Sequence, residues 1–257
     1  MAEHKPSRGL AGALVKLWRG GDYALTVTGR TAVTPHYLRL HFLAKELLAE
    51  RPIHPTMWVR GWFPDGNKSH QRGYTLVNPD HEAGTLDVDF AMHDGLATAW
   101  ARTAKPGDIL EVTVLGTDFT LPEPAPAGYV VVGDTASLPA INSLLDAIAW
   151  ASEATGGGIG ASGATGGGIV VPAKVFLESS HDDDRELPVA AAGVTWIDRK
   201  NGGEALVEAV RSSAFAAPDH FGWVACDNRT TRAIAKILRE DYGIPRKAVK
   251  AQAYWAG

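Results

Sequence analysis

A single cysteine, Cys226, stands among 257 residues. No intrachain disulfide can form, which fits a reducing, cytoplasmic setting. No window approaches about 18 uninterrupted apolar residues, so no membrane-spanning helix is expected. The N-terminus is basic and mildly apolar, but Lys16 and Arg19 interrupt it. It therefore reads poorly as a signal peptide, and residues 1–22 are read as an N-terminal extension. A basic excess is missing too. The net charge is −4, and a division at residue 124 leaves 13 basic against 14 acidic residues before it and 12 against 15 after it. Nucleic acid is not expected as a partner. The nine histidines are scattered, with no HxxxH and no Cys/His cluster, so no metal site is expected. Apolar residues, by contrast, make up 45% of the chain, enough for a packed core and against disorder.

The two halves differ in period. In GTLDVDFAMH, Leu86, Val88 and Phe90 fall on one face and Asp87 and Asp89 on the other, the pattern of a half-buried antiparallel strand. Similar runs occur in ALTVTGRTAV, HYLRLHF, MWVRGWF and DILEVTVLG, punctuated by Pro35, PDGN at 64–67, NPD at 78–80 and PGD at 106–108. Five or six such strands predict a small closed β-barrel over residues 23–124. From residue 125 the pattern changes. YVVVGD is a continuous apolar run, as in a buried parallel strand, and Leu138, Ile141, Leu144, Leu145 and Ile148 follow at helical spacing. KVFLES, VTWID and FGWVACD continue the series, with helical patterns in EALVEAV and TRAIAKILRE. This alternation predicts a small parallel-sheet α/β domain over 125–257, with PEPAPAG at 122–128 as linker. A glycine-rich duplication, ATGGGI at 154–159 and again at 164–169, is read as a surface loop spanning about 154–168. A phosphate-binding loop is the sharper alternative, but the glycines precede a strand rather than a helix.

Four stretches have side chains suited to a site. In QRGYTLVNPD, an arginine that can fork onto a diphosphate (Arg72), a flat phenol (Tyr74) and a hydroxyl (Thr75) lie in one extended segment. A surface arginine beside a core tyrosine is the plain alternative. In HDGLATAWARTAKPGD, a strand ending at His93 turns at Asp94 and Gly95 into a short helix over Ala97–Arg102, an arrangement that leaves N–H groups free for an anion. It is equally an ordinary connection with a structural histidine. GDTASLPAI at 133–141 follows the first buried parallel strand, where open α/β sheets bind nucleotides, and Asp134 or Thr135 is placed to cap the helix. In WVACDNRTTRAIAKILRE, Asp227 or Asn228 caps a helix, and Cys226 either lies buried and inert or lines a cleft.

Taken in order, these stretches resemble the siderophore-interacting proteins, FAD-dependent ferric-siderophore reductases of the ferredoxin-reductase-like superfamily. The family pattern runs RxYTxR, a strand ending HG with GPAsxWA and PGD, GDETALPAI, vtWlhR, WvAGE and GYWRxG. The chain has RGYTLV, HDGLATAWARTAKPGD, GDTASLPAI, VTWIDR, WVACDNRTTRAIAKIL and AYWAG in the same order. The resemblance implies an FAD-binding barrel followed by an NAD(P)H-binding α/β domain. It implies Arg72 on the FAD diphosphate, Tyr74 against the isoalloxazine and Thr75 near its redox-active nitrogen. His93, Gly95, Ala97, Thr98 and Trp100 would cradle the diphosphate and ribose. Asp134, Thr135 and Asp227 would lie where the nicotinamide donor approaches, and Arg199 would favour a 2′-phosphate. Arg60 and Lys68 would face the ferric siderophore, whose anionic oxygens suit cations. Departures fall at Val77, Leu96, Thr135, Ala136, Cys226, Asp227 and Ala256, mostly in the donor and substrate regions. A ferredoxin donor, another acceptor such as a quinone, free flavin or a redox protein, and a non-catalytic FAD- or siderophore-binding protein are the alternatives that these departures leave open.

Overall fold

The computed structural model describes residues 21–154, 171–191 and 193–256. Residues 1–20 of the expected extension, and the glycine-rich segment beyond Ala154, lie outside the described residues. The chain forms two compact units, Met1–Phe119 and Thr120–Gly257.

The first unit is one seven-stranded antiparallel sheet. Its strands are β1 (Gly21–Thr34), β2 (Tyr37–Leu43), β3 (Trp58–Asp65), β4 (Lys68–Thr75), β5 (Val77–Asp80), β6 (Thr85–Ala91) and β7 (Ile109–Val114). Two short helices, α1 (Lys45–Glu50) and α2 (Leu96–Thr103), accompany them. Strand order is β4-β3-β7-β1-β2-β6-β5, so the sheet curls into a half-barrel with β4 and β5 as edges rather than closing as expected. The curl is deep. Tyr74 on β4 and Phe90 on β6, five places apart in that order, have ring centroids 4.5 Å apart. The period-two pattern explains the filling. Leu86, Val88 and Phe90 point inward and pair with Phe42, Leu40 and Leu38, and all but Leu38 are almost wholly buried. On the outer face, Asp89 takes a bidentate fork from Arg39 at 2.7 and 2.8 Å, and Asp87 bonds His41 at 2.7 Å. The NPD segment, expected as a turn, belongs to β5. Proline is tolerated there because β5 is an edge, and Asn78 takes a positive φ of 46° where the register slips.

The second unit is a five-stranded parallel sheet with helices. Its elements are β8 (Tyr129–Asp134), α3 (Leu138–Ala154), β9 (Ala173–Ser179), β10 (Val194–Asp198), α4 (Glu204–Ser212), β11 (Phe221–Ala225), α5 (Asn228–Glu240) and β12 (Val249–Ala251). Every residue of β8 is buried, which is why YVVVGD does not alternate. Leu138, Ile141, Leu144, Leu145 and Ile148 are all buried along α3, each contributing roughly 1.5–3 kcal/mol of apolar burial. Gly133 allows the approach of β8 to α3: a Cβ there would lie 2.5 Å from Ile141 Cδ1 and 3.2 Å from the Ala225 carbonyl. Strand order is β10-β9-β8-β11-β12, so the winding reverses between β8 and β11. Among the described residues, no helix is long and apolar enough to cross a membrane.

Candidate functional site

Strands β3 and β4 form a hairpin whose pleat sorts its side chains onto two faces. Arg72 and Tyr74 pair with Gly61 and Val59, so they share the concave side. Tyr74 packs there against Phe63 and Phe90, at 5.7 and 4.5 Å between ring centroids, and burial pushes its phenol pKa well up. Arg72 is exposed, and its Nη1 donates to the carbonyl of Gln71 at 2.8 Å. Gln71 and Thr75 pair with Trp62 and Trp58 and share the opposite face with Arg60. On that face Arg60 stacks over the Trp58 ring at 4.9 Å, and Trp62 Nε1 donates to Thr113 Oγ1 at 2.9 Å. Three buried polar atoms on this one face have no protein partner: Arg60 Nε, Gln71 Oε1 and Thr75 Oγ1. Buried polar atoms without a partner are uncommon, and these three lie on the face opposite Arg72 and Tyr74. Lys68 is exposed at the start of β4, opposite Asp65.

The chain from β6 into α2 carries the second stretch. The Thr98 hydroxyl, itself buried, donates to the carbonyls of His93 and Gly95 at 2.7 and 2.9 Å and so fastens the turn. Gly95 precedes the helix with no side-chain cap, leaving the first N–H groups of α2 without a side-chain acceptor. A Cβ on Gly95 would meet the His93 ring at 2.6 Å. His93 is exposed, Ala97 is buried, and Trp100 is half-buried with its ring 5.6 Å from Phe63.

The second unit gathers a charged cluster at the carboxyl ends of its strands. Asp134 ends β8, Glu178 is the penultimate residue of β9, Arg199 follows β10, and Asp227 follows β11. Asp134 Oδ1 accepts from the Ser137 N–H at 3.0 Å and Oδ2 from the Trp255 indole N–H at 2.8 Å. Arg199 donates to Glu178 Oε2 and to Asp227 Oδ2, the latter at 3.3 Å, with its guanidinium 4.8 Å from the Trp255 ring centre. Asp227, not Asn228, caps α5 by accepting from the Arg229 and Thr230 N–H groups at 2.9 Å. Burial pushes the Asp134 carboxyl up against the lowering effect of its hydrogen bonds. Burial also raises Glu178 against the opposing pull of Arg199. At Asp227 burial is outweighed by the Thr230, Arg199 and Arg229 hydrogen bonds, which hold it below the usual range. Thr135 is half-buried beside this cluster in sequence. Cys226 is fully buried, and burial together with the three carboxylates pushes its thiol well up. Glu178, Trp255 and Gln71 are the members that sequence reading missed. An acid closing the buried run KVFLES was the available signal for Glu178.

Asp227→Ala removes the α5 cap and one partner of Arg199. It is expected to destabilise the second unit by about 2 kcal/mol. A denaturant titration with a lower midpoint and unchanged slope checks it. Asp227→Asn keeps a capping oxygen and is expected to lose less.

A siderophore-interacting FAD-binding domain model matches residues 28–116, and a siderophore-interacting protein model matches residues 168–257. The chain belongs to the siderophore-interacting protein family. The mycobactin import ATP-binding/permease protein IrtA of Mycobacterium tuberculosis is 31% identical over 259 residues, covering 97% of this chain. The chain spans only 28% of that relative's length. An NADPH-dependent ferric-chelate reductase of Escherichia coli is 24% identical over 208 residues, with 79% of this chain and 73% of that one covered. The solved siderophore-interacting protein SipS of Aeromonas hydrophila shares the fold, with a TM-score of 0.72, 22% identity and 92% of each chain covered.

Proposed function

We propose that the chain is an FAD-dependent oxidoreductase that reduces ferric siderophores with electrons from a nicotinamide nucleotide. In this reading residues 23–124 form the FAD domain and residues 125–257 the donor domain. The carrying observation is the edge strand β4, which carries the arginine and tyrosine of the family motif on one face and its threonine, with a buried hydroxyl lacking a partner, on the other, so that a group bound at this edge can meet all three. These residues fit FAD. The Arg72 guanidinium would hold the diphosphate, aided by the uncapped N–H groups of α2 around Gly95, Ala97 and Thr98. Tyr74 would lie against the isoalloxazine, with His93 and Trp100 at the rim. The unpaired Thr75 hydroxyl would bond a ring nitrogen. FAD, when bound, supplies the means of accepting an electron pair and releasing electrons singly.

The protein groups orient and tune. Asp134, Thr135, Arg199 and Asp227 would receive the donor at the carboxyl ends of the strands, where the strand order reverses between β8 and β11. Arg60 and Lys68 would attract the anionic oxygens of a ferric chelate. Ferrous iron binds hard oxygen ligands more weakly than ferric iron, so reduction releases the metal from the siderophore. Two relatives support this reading: the Escherichia coli NADPH-dependent ferric-chelate reductase and the ferric vibriobactin reductase ViuB of Vibrio cholerae, 28% identical over 212 residues.

The test is direct. The purified chain is mixed with FAD, desalted, and its visible spectrum recorded. It is then reduced anaerobically with nicotinamide nucleotide and given a ferric siderophore beside a chromogenic ferrous trap. Flavin retention, donor-dependent bleaching and siderophore-dependent ferrous colour are expected. A chain that leaves the column colourless after FAD treatment removes the proposal, whereas bleaching followed by reoxidation with quinone alone would reassign the acceptor.

A further inference from the structure

We infer that the second unit selects NADH over NADPH, through a buried carboxylate cluster that accepts a ribose hydroxyl and repels a 2′-phosphate. This rests on the nicotinamide-donor reading above. Asp134, Glu178 and Asp227 are 6%, 1% and 1% exposed and converge at the carboxyl edge of β8, β9 and β11. That edge borders the point where the strand order reverses, the place where such sheets take a nucleotide.

One cation, Arg199, pairs with two of the three acids, Glu178 and Asp227, and acts on Asp134 only through space, so the cluster sets three carboxyl groups against one cation. Its donors are engaged by Glu178 and Asp227 and its flat face by Trp255. The cations around it are engaged as well: Arg185 and Lys200 with Asp198, Arg229 with Glu204. A 2′-phosphate would have to draw Arg199 away from two carboxylates, leaving Glu178 charged and buried without a partner. It would also add its own charge beside three carboxyl groups that have one cation between them.

A ribose hydroxyl meets the opposite reception. Glu178 Oε1 is buried and accepts no hydrogen bond. It lies at the end of the second strand of the unit, where dinucleotide-binding sheets place the acid that holds the 2′-hydroxyl of NAD. A hydroxyl can donate to that oxygen and a phosphate dianion cannot. The cover over the cluster is the Trp255 side chain. It is 37% exposed and fixed by the indole bond to Asp134 and the stack on Arg199.

The experiment uses the full chain loaded with FAD. ADP-ribose and 2′-phospho-ADP-ribose are titrated calorimetrically, and flavin bleaching by NADH and NADPH is followed in anaerobic stopped flow. ADP-ribose is expected to bind at least about tenfold tighter, with NADH the faster reductant at low concentration. Glu178→Gln is expected to narrow the ratio several-fold. Asp134→Asn, which keeps an acceptor for the Trp255 indole, should narrow it in the same direction. Equal or tighter binding of the 2′-phosphorylated ligand by the unaltered protein overturns the inference and leaves the donor reading standing. A ratio untouched by both substitutions also overturns it. Failure of both ligands to bind, with no bleaching by either nucleotide, overturns the donor reading and the inference together.

Discussion

Arg72→Ala is expected to weaken FAD binding by about 100-fold, measured as quenching of flavin fluorescence when FAD is titrated into the apoprotein. The size follows from the forked geometry. A guanidinium offers a diphosphate two charge-assisted hydrogen bonds, each contributing about 1.5 kcal/mol, and about 3 kcal/mol is two decades in Kd. Arg72 is exposed on an edge strand, and among the described residues its side chain donates to the neighbouring Gln71 carbonyl, so the fold has little stake in it. Far-UV circular dichroism and the thermal midpoint should therefore stay put. Arg72→Lys keeps the charge without the fork and is expected to recover about one decade. Affinity unchanged within about twofold in Arg72→Ala, with the fold intact, would remove Arg72 from the FAD site.

Phe63→Ala is expected to cost the first unit about 3–5 kcal/mol, the range for deleting a buried aromatic ring. Phe63 is fully buried and meets Tyr74, Phe90 and Trp100 edge-on at 5.7, 6.4 and 5.6 Å. It therefore fixes two rings that border the proposed flavin site from β4 and α2, as well as filling the half-barrel. Denaturant unfolding should show the loss. Flavin retained by the folded fraction should give an altered visible spectrum, because Tyr74 loses one wall of its packing. A loss below about 1 kcal/mol would mean that the half-barrel is filled differently from the arrangement described here.

The elements that were legible in the sequence are those whose pattern is set by local burial. Alternation in GTLDVDFAMH reports a strand with one wet face, and YVVVGD reports one with none. The β5 strand was hidden because Asn and Pro are turn residues by local preference, and only its place at the sheet edge accommodates them. The open edge between β4 and β5 was hidden for another reason: closure depends on pairing between strands, which no single run encodes. The site divides the same way. That Arg72 and Tyr74 share a face opposite Thr75 follows from the pleat alone. The meeting of Asp134 with Trp255 spans 121 positions of sequence, and Glu178 and Arg199 join them from two further strands. Parallel winding brings every carboxyl end to one edge, so residues scattered over half the chain become neighbours only once strand order is known. The expectation that Arg199 would favour a 2′-phosphate came from the family resemblance, and the two carboxylates that engage it, Glu178 and Asp227, lie 21 and 28 positions away along the chain.

The burial of Cys226 has a chemical consequence. Oxidation to sulfenic acid and beyond requires a thiolate that an oxidant can reach. The only sulfhydryl in this polypeptide is fully buried, and burial first and the acids around it second push its pKa up, away from the thiolate. The folded protein thus gives peroxide or a disulfide little access to that sulfur. A protein proposed to trade electrons with iron chelates has, in effect, kept its most oxidisable atom out of circulation.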